Sequence, residues 1–146
     1  MLMNDEAAVS RINGYLAASP FTRVCGMTVV EAEPAAGRLT MIMPYAPALE
    51  RVDLSGQFHG GAVATLIDTA ACMALTMQLQ APPPTANFRI DFLRAPSRQT
   101  LRAIASIRRA GRALGVVDVE IIDEGGEPVA LGRATFVFGK PADAKD

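Results

Sequence analysis

The stretch FHGGAVATLIDTAACMALTMQLQAPPP, from Phe58 to Pro84, decides the fold of this chain. Between Gly60 and Leu79 it is the most apolar part of the sequence, and three consecutive prolines then end it. A helix that is apolar on all sides is buried inside protein. We therefore predict one long buried helix from about Gly60 to Gln80. The same segment carries the only histidine of the chain, His59, and a carboxylate near its middle, Asp68.

The apolar segment is long enough to span a bilayer, but its polar residues argue against a membrane helix. Asp68 at the midpoint would cost about 2.5–3.5 kcal/mol on the insertion scale. Four further side chains are polar, and they are Thr65, Thr69, Thr76 and Gln78. No aromatic or basic belt flanks either end. We therefore expect this helix to lie inside protein and the chain to bind no membrane.

Composition and charge limit the classes of function. The chain has 146 residues, half of them hydrophobic, which suits one domain with a sizeable core. Its 14 basic and 15 acidic residues give a net charge of −1, so nothing attracts nucleic acid in general. The two cysteines, Cys25 and Cys72, lack metal-ligand spacing and fit a reducing compartment. The N-terminal segment places acids early and does not resemble a signal peptide, so we expect a cytoplasmic protein.

A second helix and six strands are predicted around the apolar helix. Asn4 can cap the first helix, which we expect over about residues 4–18, before Ser19-Pro20. In the third strand, Phe88, Ile90 and Phe92 alternate with polar residues. Short turns between consecutive strands predict antiparallel neighbours. The six strands are predicted at Met27–Glu33, Arg38–Met43, Asn87–Leu93, Leu101–Arg108, Gly115–Ile122 and Val129–Phe138.

This order of elements predicts an α+β fold in which a curved antiparallel sheet of about six strands wraps around one long apolar helix. We expect a single domain over residues 1–146, with a core at about 26–139 and a short polar C-terminal tail. One sheet covers only part of a helix that is apolar all round. The uncovered side needs a partner, and a second copy of the chain is the simplest one.

One motif resembles a known family. Gly56, His59-Gly60-Gly61 and Leu66 to Ala70 form G-x-x-H-G-G-x-x-x-x-L-x-D-x-A, a pattern similar to hotdog-fold acyl-CoA thioesterases of the phenylacetate-degradation (PaaI-like) type. The similarity covers nearly the whole chain, including TANFRIDFLRAP, RRAGRAL and DEGGEPVA. It implies an acyl-CoA substrate, a homodimer or a dimer of dimers, and no metal or other cofactor, since CoA is part of the substrate.

The resemblance also implies roles for residues of the helix. Asp68 corresponds to a base or nucleophile, and the backbone N–H of Gly60 to the group that polarises the thioester carbonyl. His59 corresponds to a supporting residue, and Gly61 belongs with the substrate-binding residues.

The binding residues that the resemblance implies lie outside the helix. Seven residues before Gly60, where relatives often carry asparagine, this chain has Asp53, and Gln57 is the nearby residue with an amide. Thr85 is a candidate for a site hydroxyl. Three arginines suit the phosphates at the nucleotide end of CoA, although a solvated hairpin tip explains them as well. They surround one glycine, and the cluster is Arg108, Arg109, Gly111 and Arg112.

The same chemistry follows from the residues themselves. A free N–H at a helix start carries partial positive charge, where a developing oxyanion needs a donor, and glycine allows close approach. A carboxylate can attack a thioester or activate water. Gly60 and Asp68 are eight residues apart, roughly 12 Å along one helix, so they cannot both reach one carbonyl. If both act, they come from two subunits whose helices lie side by side.

Other interpretations of the motif stay open. HGG can be a tight entry to a helix, His59 can be structural, and Asp68 can bond to Thr65 or to a backbone N–H. Small and polar residues on one helix face, such as Cys72, also fit close helix packing. A non-catalytic acyl-CoA-binding module is the alternative function, although a binder has no need of the carboxylate. No G-x-S-x-G, zinc-ligand set or phosphate-binding glycine loop occurs in the sequence.

Overall fold

The computed structural model describes residues 3–139, so most of the predicted C-terminal tail lies outside the described residues. A single 3₁₀ turn lies at Pro47–Leu49. In chain order the helices and strands are α1 (Asp5–Ala18), α2 (Pro20–Cys25), β1 (Thr28–Glu33), β2 (Arg38–Met43), α3 (Gly60–Thr76), β3 (Thr85–Phe92), β4 (Leu101–Ala110), β5 (Leu114–Ile122) and β6 (Pro128–Val137).

The six strands form one antiparallel sheet in the order β1-β2-β4-β5-β6-β3, which confirms the predicted fold class. The prediction that β3 and β4 are neighbours is wrong. β3 pairs with β6 at one edge of the sheet, whereas β4 lies between β2 and β5. Residues 93–100 join β3 to β4, a longer connection than the two to five residues of a hairpin loop, and they cross to the other half of the sheet.

Two helix boundaries differ from the prediction. α3 ends at Thr76, because the N–H groups of Met77 and Gln78 bond three residues back and tighten the chain into turns before the prolines. α2 was not predicted. Ser19-Pro20 ends α1, but it also begins α2, since the Ser19 side chain caps the new helix and proline suits its first position.

α3 packs closely on one face of the sheet where two strands carry glycine. A Cβ at residue 132 of β6 would lie 2.5 Å from Cγ2 of Ile67, and a Cβ at residue 115 of β5 would lie 2.7 Å from Cδ1 of Leu75. The two residues concerned, Gly132 and Gly115, have no side chain, so the helix approaches the sheet backbone directly. The large apolar side chains of α3 are buried at this contact.

The uncovered apolar surface is on β3, and the prediction that α3 itself leaves an apolar side open is wrong. The curved sheet and the elements around α3 already bury its large side chains within one protomer. Phe88 and Phe92 of β3 face the α3 side of the sheet yet are 41% and 56% exposed. The part of α3 beyond its first residue that stays partly or fully exposed is a stripe of small and polar residues, namely Gly61, Ala64, Thr65, Asp68, Thr69 and Cys72.

α1 covers the β1 edge of the sheet. The Asn13 side chain makes two hydrogen bonds to the backbone of Val29, its Nδ2 donating to the carbonyl at 3.0 Å and its Oδ1 accepting from the N–H at 2.9 Å. α1 also contributes Ile12 and Leu16 to the core. Its Arg11 donates to carbonyls at the C-terminal end of α3, which ties the helix to both the sheet edge and the core helix.

Candidate active site

His59 caps the start of α3. Its Nδ1 accepts a hydrogen bond from the Gly61 N–H at 2.8 Å, so this ring nitrogen is not a donor in the cap. The His59 N–H donates to the carbonyl of Leu49 at 2.7 Å. A Cβ on residue 61 would lie 2.9 Å from the same Nδ1, which leaves room only for Gly61. The structure therefore gives His59 and Gly61 a joint role in shaping the helix start.

The Gly60 N–H is the free donor at this helix start. Among the hydrogen bonds within residues 3–139, it donates to none, whereas the N–H groups of Ala62 and Val63 both donate to the carbonyl of His59. The first N–H of a helix has no partner within the helix and carries partial positive charge. Gly60 lines an open cavity of about 520 Å³ together with Phe92. A ligand carbonyl in this cavity can therefore accept from Gly60.

Asp68 is held by the first residue of β3. The Thr85 hydroxyl donates to Oδ1 of Asp68 at 2.9 Å, and within residues 3–139 the other carboxylate oxygen has no hydrogen-bond partner. The Thr65 hydroxyl donates instead to the carbonyl of Gly61, so the alternative bond between Thr65 and Asp68 does not form. Asp68 is partly exposed on the small, polar stripe of α3. One oxygen of this carboxylate is thus fixed and the other is available for chemistry.

The structure does not bring Gly60 and Asp68 together within one protomer. They lie on one unbroken helix, eight residues apart, which corresponds to roughly 12 Å of axial rise. The cavity at Gly60 is lined by neither Asp68 nor Thr85. One protomer therefore presents a carbonyl-polarising donor at one place and a carboxylate at another.

Cys72 lies one turn beyond Asp68 and is an unreactive thiol. Its Sγ is 3.5 Å from the carbonyl of Pro83. Burial, and secondly the charge of Asp68, raises the pKa of Cys72 to about 12, so the group stays protonated at neutral pH. The charged group on this helix face is the carboxylate of Asp68.

The loop before α3 is organised by Glu50, a residue that the sequence did not single out. Its side chain is 5% exposed and pairs with Arg98 at 3.7 Å. The carboxylate accepts from the N–H groups of Leu54 and Gly56, both at 2.8 Å, and from the Tyr45 hydroxyl. The Tyr45 hydrogen bond is the main cause that lowers the pKa of Glu50, which keeps the carboxylate charged. Nothing in the residue pattern separates Glu50 from a surface carboxylate, since its partners come from the turn that it stabilises.

Asp53 and Gln57 lie in this loop but do not line the cavity. Asp53 is exposed and makes no hydrogen bond or ion pair within the described part of the chain. The Gln57 side chain accepts from Nη1 of Arg51 at 3.1 Å, so it supports the loop. The structure thus keeps both predicted binding residues outside the cavity at Gly60.

Only part of the predicted arginine cluster is available to a ligand. Arg108 donates to Asp118 at 2.9 Å, and Arg133 donates to the same carboxylate at 2.6 and 2.9 Å, all on the sheet face opposite α3. Arg133, and to a lesser extent Arg108, lowers the pKa of Asp118. Arg109 and Arg112 make no ion pair within residues 3–139.

These two arginines flank the β4–β5 turn that contains Gly111. The N–H of Gly111 donates to the carbonyl of Leu114 at 2.9 Å. The turn leads into Gly115, which contacts Leu75 near the C-terminal end of α3. Within one protomer it therefore lies at the end of the helix opposite to Gly60.

Residues 3–139 contain no group of three or more His, Cys, Asp or Glu side chains placed to hold a metal ion. None of the helices in this part of the chain is both long enough and apolar enough to cross a membrane.

Comparison with known proteins shows that this chain is similar to thioesterases. The family model of the thioesterase superfamily matches residues 55–138. A Halobacterium salinarum relative is 32% identical over 143 residues, which are 90% of this chain and 92% of the relative. The acyl-coenzyme A thioesterase PaaI of Escherichia coli is 41% identical over 76 residues, 51% of this chain and 54% of that protein.

Structure comparison extends the likeness to PaaI over most of the chain. The structure of the Escherichia coli PaaI protein superposes with a TM-score of 0.79 at 25% identity, covering 92% of this chain and 95% of that one. The medium/long-chain acyl-CoA thioesterase YigI of Escherichia coli is 27% identical over 135 residues, 82% of this chain and 86% of that protein.

Proposed function

This chain belongs to the thioesterase superfamily, and from that membership we propose that it hydrolyses acyl-CoA to a carboxylic acid and free CoA. Two similar proteins, PaaI and YigI, are named as acyl-CoA thioesterases. The observation that carries the proposal is the pairing on one helix of a free Gly60 N–H, open to a cavity, with an Asp68 carboxylate held by Thr85. The reaction needs no metal or other cofactor, and the two free cysteines fit a cytoplasmic location.

The Gly60 N–H would polarise the substrate. It donates to the thioester carbonyl oxygen and stabilises the negative charge that grows on this oxygen as the carbonyl carbon becomes tetrahedral. The helix dipole adds partial positive charge at the same point. His59 supports this step by capping α3, which keeps the helix start in one conformation.

Asp68 would supply the attacking group in one of two ways. As a general base it takes a proton from water, and the oxygen of that water bonds to the carbonyl carbon. The tetrahedral intermediate then re-forms the carbonyl, the C–S bond breaks, and the CoA sulfur receives a proton. As a nucleophile, Asp68 displaces CoA directly to give a mixed anhydride, which water hydrolyses. In both cases the Thr85 hydroxyl holds one carboxylate oxygen in place.

The complete site would combine Gly60 of one subunit with Asp68 of a second copy. The axial separation of roughly 12 Å prevents one protomer from presenting both groups to one carbonyl. β3 offers the surface for that second copy, because it is an edge strand whose Phe88 is exposed. A homodimer built this way has two equivalent sites, and two dimers can associate further without changing them.

Substitution of the carboxylate tests the proposal. Asp68→Asn is nearly isosteric but is neither base nor nucleophile, so kcat on an acyl-CoA panel should fall by about 10²–10⁴-fold. The melting temperature and the dimer should be preserved. Unchanged kcat for Asp68→Asn would remove this residue from the mechanism, and wild-type protein that binds acyl-CoA without hydrolysing it would favour the binding module.

Mixing two inactive variants tests the shared site. Gly60→Pro lacks the donor N–H, and proline is tolerated at the first position of a helix. When Asp68→Asn and Gly60→Pro chains are refolded together, one of the two sites in each mixed dimer is intact. Random pairing should therefore restore about one quarter of wild-type activity. If the chains exchange and no activity returns, Asp68 works with a donor from its own subunit.

A further inference from the structure

The cavity beside Gly60 has a wall that nothing in the proposed mechanism uses. We propose that this cavity holds the acyl group, that it favours apolar acyl groups, and that Phe92 is the residue that makes longer acyl groups better substrates than short ones. This inference rests on the proposed acyl-CoA hydrolysis and adds the substrate class.

Phe92 lies beside Gly60, the residue whose N–H is the free donor. A Cβ placed on Gly60 would be 3.5 Å from Cζ and 3.6 Å from Cε1 of the Phe92 ring, which is van der Waals contact. The ring is 56% exposed in the protomer. An acyl group whose carbonyl oxygen accepts from the Gly60 N–H would pass along this ring in our proposal, and its carbons would cover the exposed part.

Much of the remaining lining is apolar, and three of its backbone donors are already paired. The Phe58 N–H donates to the carbonyl of Pro96 at 3.1 Å. The N–H groups of Leu93 and Arg94 both donate to the carbonyl of Val129, at 2.9 and 3.3 Å. The two amides of a pantetheine arm would lose their water without gaining these donors, at a cost in free energy, whereas a hydrocarbon needs none. The apolar side chains that complete the lining are Val52, Val63, Leu93, Ala95 and Pro96.

One of the two arginines of the lining has its guanidinium group paired. Arg94 donates to the carboxylate of Asp123 and, at 3.1 Å each, to the carbonyls of Pro128 and Glu127. Arg51 donates from Nη1 to the neutral Gln57 amide at 3.1 Å and makes no ion pair within residues 3–139. The preference for apolar acyl groups therefore rests on the apolar side chains of the lining.

Truncation of Phe92 should change selectivity in a defined direction. An acetyl group reaches Gly60 but covers little of the ring, whereas an octanoyl group extends along it. In Phe92→Ala the ratio of kcat/KM for octanoyl-CoA to that for acetyl-CoA should fall about tenfold, within the range by which apolar pockets discriminate chain length. Free CoA carries no acyl group, so its inhibition constant should stay within twofold of wild type.

Phe88→Ala is the matched control. Phe88 lies on the same strand and the same face, is similarly exposed at 41%, and does not line the cavity. A disturbance of the dimer would scale all substrates alike, so the ratio should stay unchanged in this variant. An unchanged ratio in Phe92→Ala, or an equal fall in both variants, overturns the inference while wild-type hydrolysis stands. Absence of hydrolysis of any acyl-CoA by wild-type protein would instead refute the proposed function, and this inference with it.

Discussion

The two edge strands of the sheet differ, because β1 is covered and β3 is open. At β1, the Asn13 amide pairs with both backbone groups of Val29, and α1 covers the strand. At β3, no described residue pairs with the outer side of the strand, and Phe88 is exposed on its inner face. An open edge with an apolar face invites pairing with another chain, which soluble proteins usually prevent. The contrast supports the proposed homodimer, in which the open edge would form the contact between the two chains.

The open edge is also the one that reaches the candidate site. Thr85, the first residue of β3, bonds to Asp68, and Phe92, the last, lines the same cavity as Gly60. β1 touches neither group of the site. Substitutions at β3 should therefore change assembly and turnover, whereas equivalent substitutions at β1 should change stability alone.

The largest effect is expected from a charge on the open edge. Phe88→Lys should raise the dimer dissociation constant by about 100-fold, because an isologous interface brings the two ammonium groups into apolar surroundings close to one another. Val30→Lys on β1 is the matched control, since Val30 is 45% exposed and also lies on an edge strand. Sedimentation velocity over a concentration series measures the dimer dissociation constant of both variants. A Phe88→Lys variant that stays fully dimeric would place the interface elsewhere.

A smaller effect is expected where β3 meets the carboxylate. Thr85→Val keeps the shape of the side chain but removes the donor to Asp68, so kcat should fall about tenfold, the equivalent of one charge-assisted hydrogen bond. Thr85→Ser retains the hydroxyl and should keep kcat within about threefold of wild type. Steady-state kinetics at saturating substrate separate the two, and equal loss in both variants would show that the methyl group matters rather than the hydrogen bond.

The smallest effect is expected at the covered edge. Asn13→Ala removes both hydrogen bonds to Val29, and a net contribution of about 0.5 kcal/mol from each implies that the free energy of unfolding should fall by about 1 kcal/mol. Urea denaturation measures the loss. The value of kcat should not change in the folded protein. A drop in kcat at full folding would contradict the separation of roles between the two edges.

Local sequence patterns predicted the helices and strands, because these elements depend on residues that are close together along the chain. Alternation in β3 and the apolar run of α3 predicted these elements, and the HGG motif predicted that Gly60 begins a helix. The sequence did not predict that β3 lies at the edge, because strand order depends on pairing between distant segments.

The same reason explains what was missed around the site. Asp118 of the neighbouring strand engages Arg108, so this predicted phosphate ligand is already paired. Phe92 reaches Gly60 only because the sheet brings the end of β3 to the start of α3. Glu50 organises its loop through backbone N–H groups, which no residue type encodes. Each of these contacts joins residues whose relation is set by the fold.

Because Gly132 has no side chain, α3 can lie close to the backbone of β6. A single methyl group there would meet Ile67, the residue before Asp68, at 2.5 Å. The helix would have to rise from the sheet, and the carboxylate would rise with it, away from the hydroxyl of Thr85 on the adjacent strand. Gly132 thus places no side-chain atom between α3 and β6. A carbon atom added on β6, outside the motif, would therefore change the position of the carboxylate on α3.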